Sequence, residues 1–372
     1  MMHLRIAIVA VAVALVVGGC AGTDTAPSST APPSTIAISS TSSTSASGEQ
    51  TSPTRWGFVP FPAGPNQQSV GEAFRFVAAE GDLVAFHFDD GIPWEGLLAD
   101  SDLPPAFVGE MASLKAFSAE NPQLAVYVAT AITNQTRNAI AGSWRAGDPP
   151  PSVAGRSFAD PKVREGIRRW VRYLADEFEP NWFNLAVEIN MYETTRPEDY
   201  PNLVSFYREL YEEVKAAHPD TVVFASFQME LGDPGAAGDL VDALDIVGIS
   251  TYPYLTGDGF PPEDYLDSVA DLGLPLAVAE TGYPAAALPT LAGKQTFSPS
   301  DQAAYVEWLG RRAASPGLVF VTWFFPTDIT AWIDPLPAAE QDVPRLFEFL
   351  GMRTADGTAR PALEVWRRLA SP

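Results

Sequence analysis

FNLAVEINMY, residues 183–192, begins as an apolar run and then breaks into polar residues at Glu188 and Asn190. The run reads as a buried strand. Taking a carboxylate out of water is costly unless a partner or a function compensates. A glutamate at the end of such a strand is therefore either a paired structural charge or a working one. As a structural charge it has a candidate partner in Arg137, on the loop after the preceding apolar run.

Seven further runs share that apolar, continuous character: RWGFVPF (55–61), DLVAFHF (82–88), LAVYVATAI (124–132), TVVFASFQ (221–228), DIVGISTY (245–252), PLAVAET (275–281) and LVFVTWFF (318–325). Unbroken rather than alternating hydrophobicity fits strands covered on both faces. Between the runs lie stretches with helical spacing of apolar residues, among them 160–178, 202–218 and 298–314, the last with Ser298 or Ser300 as N-cap. Eight strands alternating with helices predict βαβ units and a parallel sheet. The number of runs favours an α/β fold of the (β/α)8 TIM-barrel kind over an open doubly wound sheet. No glycine-rich phosphate loop follows any strand, which counts against nucleotide binding.

The ends of the chain's 372 residues differ in kind. Residues 1–20 comprise a basic start, an apolar run of twelve (IAIVAVAVALVV) and the sequence VGGC. That layout is a secretory signal, too short to span a bilayer. Ending on Gly-Gly-Cys, it resembles the lipobox of bacterial lipoproteins, which implies lipidation at Cys20 and anchorage to the outer face of the cell membrane. The simpler alternative is a cleaved signal with an incidental cysteine. Cys20 is the single cysteine, so the mature fold carries no disulfide and no thiol nucleophile. Residues 21–53, rich in Ser, Thr, Ala and Pro, bury too little apolar surface to offset chain entropy and read as a disordered tether. Residues 54–372 read as one barrel without an internal linker. A net charge of −23 argues against nucleic acid or anionic lipid as a partner, since both require basic patches.

In barrels of this type the chemistry gathers at the C-terminal ends of the strands. The second predicted strand ends in His87, Asp89 and Asp90, with Trp94 in the following loop, and the fourth in Glu188 and Asn190. The fifth ends in Gln228, the sixth in Tyr252 and Tyr254, the seventh in Glu280, Thr281 and Tyr283, and the eighth in Trp323. Carboxylates, amides and aromatics on one rim suit a sugar, whose apolar C–H faces stack while its hydroxyls take polar partners. Two carboxyl groups about 5–5.5 Å apart are the apparatus of retaining glycoside hydrolysis. Glu280 is the candidate nucleophile and Glu188 the candidate acid and base, with His87, Asp89, Trp94, Asn190, Gln228, Tyr252, Tyr254, Tyr283 and Trp323 as candidate carbohydrate contacts.

These segments resemble a known family. Glutamates ending the fourth and seventh strands are the arrangement of the retaining glycoside hydrolase clan built on (β/α)8 barrels. DIVGISTYPY (245–254) and PLAVAETGYP (275–284) are similar to segments of the bacterial endo-β-1,4-galactanases, and VEIN (187–190) is similar to their Asn-Glu-Ile-Asn motif. GMRTADGTARPALEVW (351–366) resembles the terminal segment of related barrel glycosidases. The resemblance implies cleavage of an O-glycosidic bond without a cofactor. It departs at Val187, where the clan places an asparagine that bonds the sugar 2-hydroxyl, and after the second strand, where His87, Asp89 and Asp90 do not follow the galactanase pattern. Val187 favours a rival reading, a non-catalytic protein that keeps the barrel to bind glycans, and a structural envelope lipoprotein is a third.

Metal chemistry has little to build on. His87 is accompanied only by His3 and His218, and neither is near it in sequence. One histidine without cysteine is a poor transition-metal set, whereas oxygen ligation of Ca²⁺ by Asp89 and Asp90 stays open. A monomer is expected.

Overall fold

The computed structural model describes residues 53–99, 101–256, 259–288 and 296–370. The signal and the expectation for Cys20 lie outside these residues, as does the tether except for its final Pro53.

Nine parallel segments form one sheet: β1 (Arg55–Phe58), β2 (Leu83–Phe88), β3 (Ala125–Thr130), β4 (Trp182–Asn184), β5 (Val222–Phe224), β6 (Ser226–Gln228), β7 (Val247–Thr251), β8 (Leu276–Thr281) and β9 (Leu318–Trp323). β5 and β6 are halves of a single stave interrupted at Ala225. β5 pairs with β4 and β6 with β7, while β1 pairs with β9. Across the interruption the Gly248 amide donates to the Ala225 carbonyl at 3.2 Å, and the Asp245 amide to the Val223 carbonyl at 2.9 Å. The sheet thus curls into an eight-stave barrel, the fold expected from the eight apolar runs.

The helices are α1 (Gln67–Glu80), α2 (Trp94–Ala99), α3 (Pro105–Glu120), α4 (Pro161–Phe178), α5 (Ile189–Thr195), α6 (Tyr200–Ala217), α7 (Asp267–Ala270), α8 (Pro299–Arg312), α9 (Thr330–Ile333) and α10 (Pro361–Ala370). The starts of α4 and α8 follow from local chemistry. Asp160 and Ser298 cap them by accepting backbone N–H bonds, and each is followed by proline at the first helical position. α4 buries Val163, Ile167, Trp170, Leu174 and Phe178, a stripe at spacings of three and four that faces the sheet.

The barrel interior is filled, not hollow. Tyr127 of β3 meets Phe224 of β5 and Phe320 of β9 at ring-centroid distances of 5.7 and 5.0 Å. Gly248 makes room for this cluster, because a Cβ there would stand 2.4 Å from the Phe224 ring. The rim is thereby a floor on which side chains stand.

One predicted strand is shorter than its apolar run. FNLAVEIN (183–190) leaves the sheet after Asn184, and its end turns at Glu188 into helix α5. Asn184 is the reason in part. Its side chain accepts from the Ala186 amide at 3.2 Å, bending the chain, and donates to Ser226 Oγ at 2.9 Å.

Candidate active site

Glu188 occupies that turn in the left-handed conformation, φ 52° and ψ 46°. For a residue with a Cβ this costs on the order of 1–2 kcal/mol and persists only where neighbours impose it. Ser226 Oγ accepts from the Glu188 amide at 3.1 Å, and the Val187 amide donates to the Thr130 carbonyl at 3.3 Å. On the far side, Asn190 completes the clamp. Its Nδ2 donates to the Gln228 carbonyl at 2.8 Å and its Oδ1 accepts from the Gln228 amide at 2.8 Å. Both polar ends of Asn190 thus bond the backbone of the neighbouring stave and are turned from any ligand.

The Glu188 side chain is buried and paired. Arg137 Nε and Nη2 both donate to its Oε2, at 3.3 and 3.2 Å, with only 6% and 5% of the two side chains exposed. Arg137 is itself left-handed, φ 50°, on the loop after β3. The structural partner suggested by the sequence is therefore in place.

Glu280 stands near the end of β8, where an extra residue is accommodated. Ile249 of β7 pairs with Val278, but its successor Ser250 pairs with Glu280. On the other side, Val278 pairs with Val321 and Thr281 with Trp323, again one residue more on β8. Such a bulge re-aims a side chain and is common beside active sites. Burial pushes the Glu280 carboxyl well above its ordinary value. The charges of Glu188 and Asp89 add to that rise, while Arg137 and the Ser250 hydroxyl oppose it. The two glutamates are thus electrostatic neighbours.

His87 lies between two carboxylates. Its Nδ1 is 3.7 Å from Asp89 Oδ2 and 3.8 Å from Glu280 Oε2. The ring is edge-on to Tyr127 and Phe324. Neither ring nitrogen has a hydrogen-bond partner among the described residues, and neither does Asp89 Oδ1. For Asp89, burial would raise the carboxyl, but the imidazole of His87 and the charge of Arg137 outweigh it and hold the group low. His87, Asp89, Glu188 and Glu280 therefore form one cluster, together with Arg137. Tyr252 is buried beside it: burial, then Glu280 and other neighbouring acids, drive its phenol upward.

The remaining candidate contacts stand elsewhere. Trp94 is fully buried, and its indole N–H is spent on the Ala141 and Gly142 carbonyls. Trp323 is fully buried too, donating to the Leu350 carbonyl at 2.9 Å and packed against Tyr305 and Trp366. Neither indole offers a face to a sugar, because strand and helix packing consume both. Gln228 folds back to hold the next turn, accepting from the Glu230 and Leu231 amides and donating to Glu230. Tyr283 donates to the Gly259 carbonyl and stacks on Tyr305, while Tyr254 is fully buried. Two further acids near the rim, the half-buried Glu230 and the buried Asp328, are structural. Glu230 bonds Thr251, the Tyr252 amide and Tyr265, and Asp328 takes a two-pronged bond from Arg360 at 2.6 Å for each prong.

Beside the cluster lies a cavity of about 190 Å³, bounded by the loops after β1 and β2 and by α1 and α3. His87, Asp89 and Arg137 line it, but Glu188 and Glu280 do not. Nothing in the linear sequence marks it, since its phenylalanines come from four separate segments. Deeper in its wall, burial raises Glu110 to about 7, with Asp90 adding to the rise and Arg145 opposing it. Burial and the charge of Asp89 raise Asp90 to about 6, again against Arg145. Among the described residues no group of three or more His, Cys, Asp or Glu converges on a metal position, and no helix is long and apolar enough to cross a membrane.

The chain matches no family model. No curated protein matches it significantly either. Solved structures do. An exo-β-1,4-mannosidase from Opitutaceae bacterium strain TAV5 superposes with a TM-score of 0.62 at 15% identity, over 85% of this chain and 59% of that one. The chain thus spans about three fifths of that mannosidase. GH5_18 from Streptomyces cattleya, in complex with GlcNAc, gives 0.62 at 18% identity, covering 86% and 80%. Xylanase 10B from Thermotoga maritima gives 0.56 at 12% identity, covering 85% and 94%. At these identities the likeness is one of fold. The chain has the (β/α)8 barrel found in glycoside hydrolases that include mannosidases and a xylanase.

Proposed function

We propose that this protein is a glycoside hydrolase acting on an O-glycosidic bond through Glu188 and Glu280. The observation that carries the reading is the placement of two buried glutamates at one rim, Glu188 held by Arg137 at 3.2 Å and Glu280 lying 3.8 Å from His87, with Arg137 and His87 lining the same cavity. Glu280 attacks the anomeric carbon. Glu188 protonates the leaving oxygen and then activates water, with retention of configuration. Both steps need a change from the resting charges. Glu280 must release a proton that its buried site favours, and protonating Glu188 breaks its ion pair with Arg137. Binding of a substrate that displaces Arg137 from Glu188 would meet the second demand, and protonation of Glu188 would then remove the negative charge that helps Glu280 keep its proton. In this reading the chain is exported and anchored through Cys20, and its substrate is an extracellular poly- or oligosaccharide, with a β-1,4-galactan among the first to try.

One observation supports a second reading, a barrel that binds glycans without cleaving them. Arg137 holds Glu188 in an ion pair, and Val187 supplies no hydrogen-bonding side chain next to it. A 2-deoxy-2-fluoro glycoside carrying a good leaving group distinguishes the two. A hydrolase traps it as a glycosyl ester, and peptide mapping finds the ester on Glu280. An ester on Glu188 would exchange the two roles. No ester, with saturable binding that Glu280→Gln leaves unchanged, would establish the binder.

A further inference from the structure

We propose that the cavity beside the glutamates is a compartment for one apolar ring, aromatic or alicyclic, borne by the ligand of the rim site. The proposal rests on the carbohydrate reading of that site for what the ring is attached to, which makes the favoured ligand a glycoside with an aryl or cycloalkyl group.

Size comes first. An engineered apolar cavity of about 150 Å³ holds benzene, and this one measures about 190 Å³. The walls come next. Phe61, Phe74, Phe324 and Phe325 line the space with Val70 and Leu114. Phe61 meets Phe325 edge-on at 4.9 Å, and Phe325 lies 4.8 Å from Phe324. Phenylalanine brings area and a quadrupole but no polar handle. A bare sugar, with hydroxyls around its whole perimeter, would leave several of them facing these rings with nothing to bond.

Polar groups occupy one side, and some of them lack partners. Arg137 is engaged by Glu188, and Arg145 by Glu110 at 2.6 Å. The His87 side chain is 95% buried by its 5% exposure, and its two ring nitrogens and Asp89 Oδ1 find no hydrogen bond among the described residues. Buried polar atoms of this kind call for an explanation, and a ligand hydroxyl or ether oxygen at the edge of an otherwise apolar ring supplies one. The location fits as well. His87 reaches within 3.8 Å of Glu280 and Arg137 within 3.2 Å of Glu188, so a ring in the cavity sits one side chain away from both carboxylates.

Saturation-transfer NMR on the whole protein tests this with phenol, cyclohexanol and methyl β-galactoside as separate probes. Phenol should saturate in the millimolar range and be displaced by cyclohexanol. Leu114→Trp, which fills the cavity from α3, should weaken phenol at least tenfold. Val70→Trp fills it from α1 and serves if the first variant melts early. Absence of saturation by phenol, or unchanged phenol affinity in a folded cavity-filling variant, overturns the proposal. Saturation by methyl β-galactoside that the same fillings abolish also overturns it, making the cavity a plain sugar subsite. Phenol binding does not require turnover. If Glu280→Gln keeps phenol binding and also keeps turnover, the hydrolase assignment fails while the ring compartment stands.

Discussion

Arg137 and Glu188 form a buried ion pair in which two guanidinium N–H groups converge on one carboxylate oxygen, Oε2. This is not the parallel fork that makes arginine–carboxylate pairs strongest. Both residues are also held in left-handed backbone conformations. The pair therefore joins two strained positions, on the third and fourth loops of the rim, directly beside Glu280.

Removing one member should be costly. Arg137→Met leaves a buried carboxylate without its countercharge, and the expected loss is about 3–5 kcal/mol in urea unfolding. Adding Glu188→Gln to Arg137→Met should recover most of that loss, because no charge then stays buried. If the single variant loses less than about 1 kcal/mol, the pair is relaxed by solvent and Glu188 is freer than its burial suggests.

Turnover gives the second prediction. If Glu188 is the acid and base, Glu188→Gln lowers kcat by about 10²–10⁴-fold on a substrate with a poor leaving group. An activated aryl glycoside, which leaves with little protonation, should lose much less in the first step. Equal losses on both substrates would remove Glu188 from the acid role.

Glu280 links stability to pH. Its carboxyl is raised above the ordinary value of 4.5. Between pH 4.5 and the raised value, the native state keeps a proton that the unfolded chain has released, so stability falls as pH increases through that window. Glu280→Gln removes the penalty. Its melting temperature should exceed that of the parent at neutral pH and converge with it below pH 4.5, while turnover is lost. A variant that is no more stable at pH 7 than at pH 4, relative to the parent, would contradict the burial of this charge.

Trp323 supplies a negative control. Trp323→Phe deletes the bond to the Leu350 carbonyl, which keeps its bond from Gln302 Nε2, so the expected cost is that of one ordinary hydrogen bond, about 0.5–1.5 kcal/mol. Glycan affinity should not change. A loss of affinity without a loss of stability would return Trp323 to the binding surface.

Much of the barrel was legible because each stave is a continuous apolar run, a signal that survives without tertiary context. The position of Glu188 and Glu280 followed from counting those runs. What the runs hid was local. FNLAVEIN carries strand-like composition to its end, but the chain leaves the sheet after Asn184, six residues before the run ends at Asn190, and no spacing rule marks a side chain that accepts from its own backbone. The aromatics misled for a related reason. Composition tells that Trp94 and Trp323 are near the rim, but not that carbonyls at 141, 142 and 350 claim their N–H groups. The phenylalanine cavity assembles from segments so far apart that only the folded chain brings them together.

The pairing of β1 with β9 has a kinetic side. Thr54 donates to the Leu318 carbonyl across 264 residues of sequence, and Trp366 reaches back to the Glu80 carbonyl. As the chain is made from its N-terminus, β1 must wait with one edge bare until β9 emerges. Local βα units form early, but closure is a late, non-local event of the kind that slows folding. An unpaired edge is a template for association with other chains. For this barrel, the hazardous interval lies in synthesis, before the ring exists, and its length is set by the distance along the chain between two strands that end as neighbours.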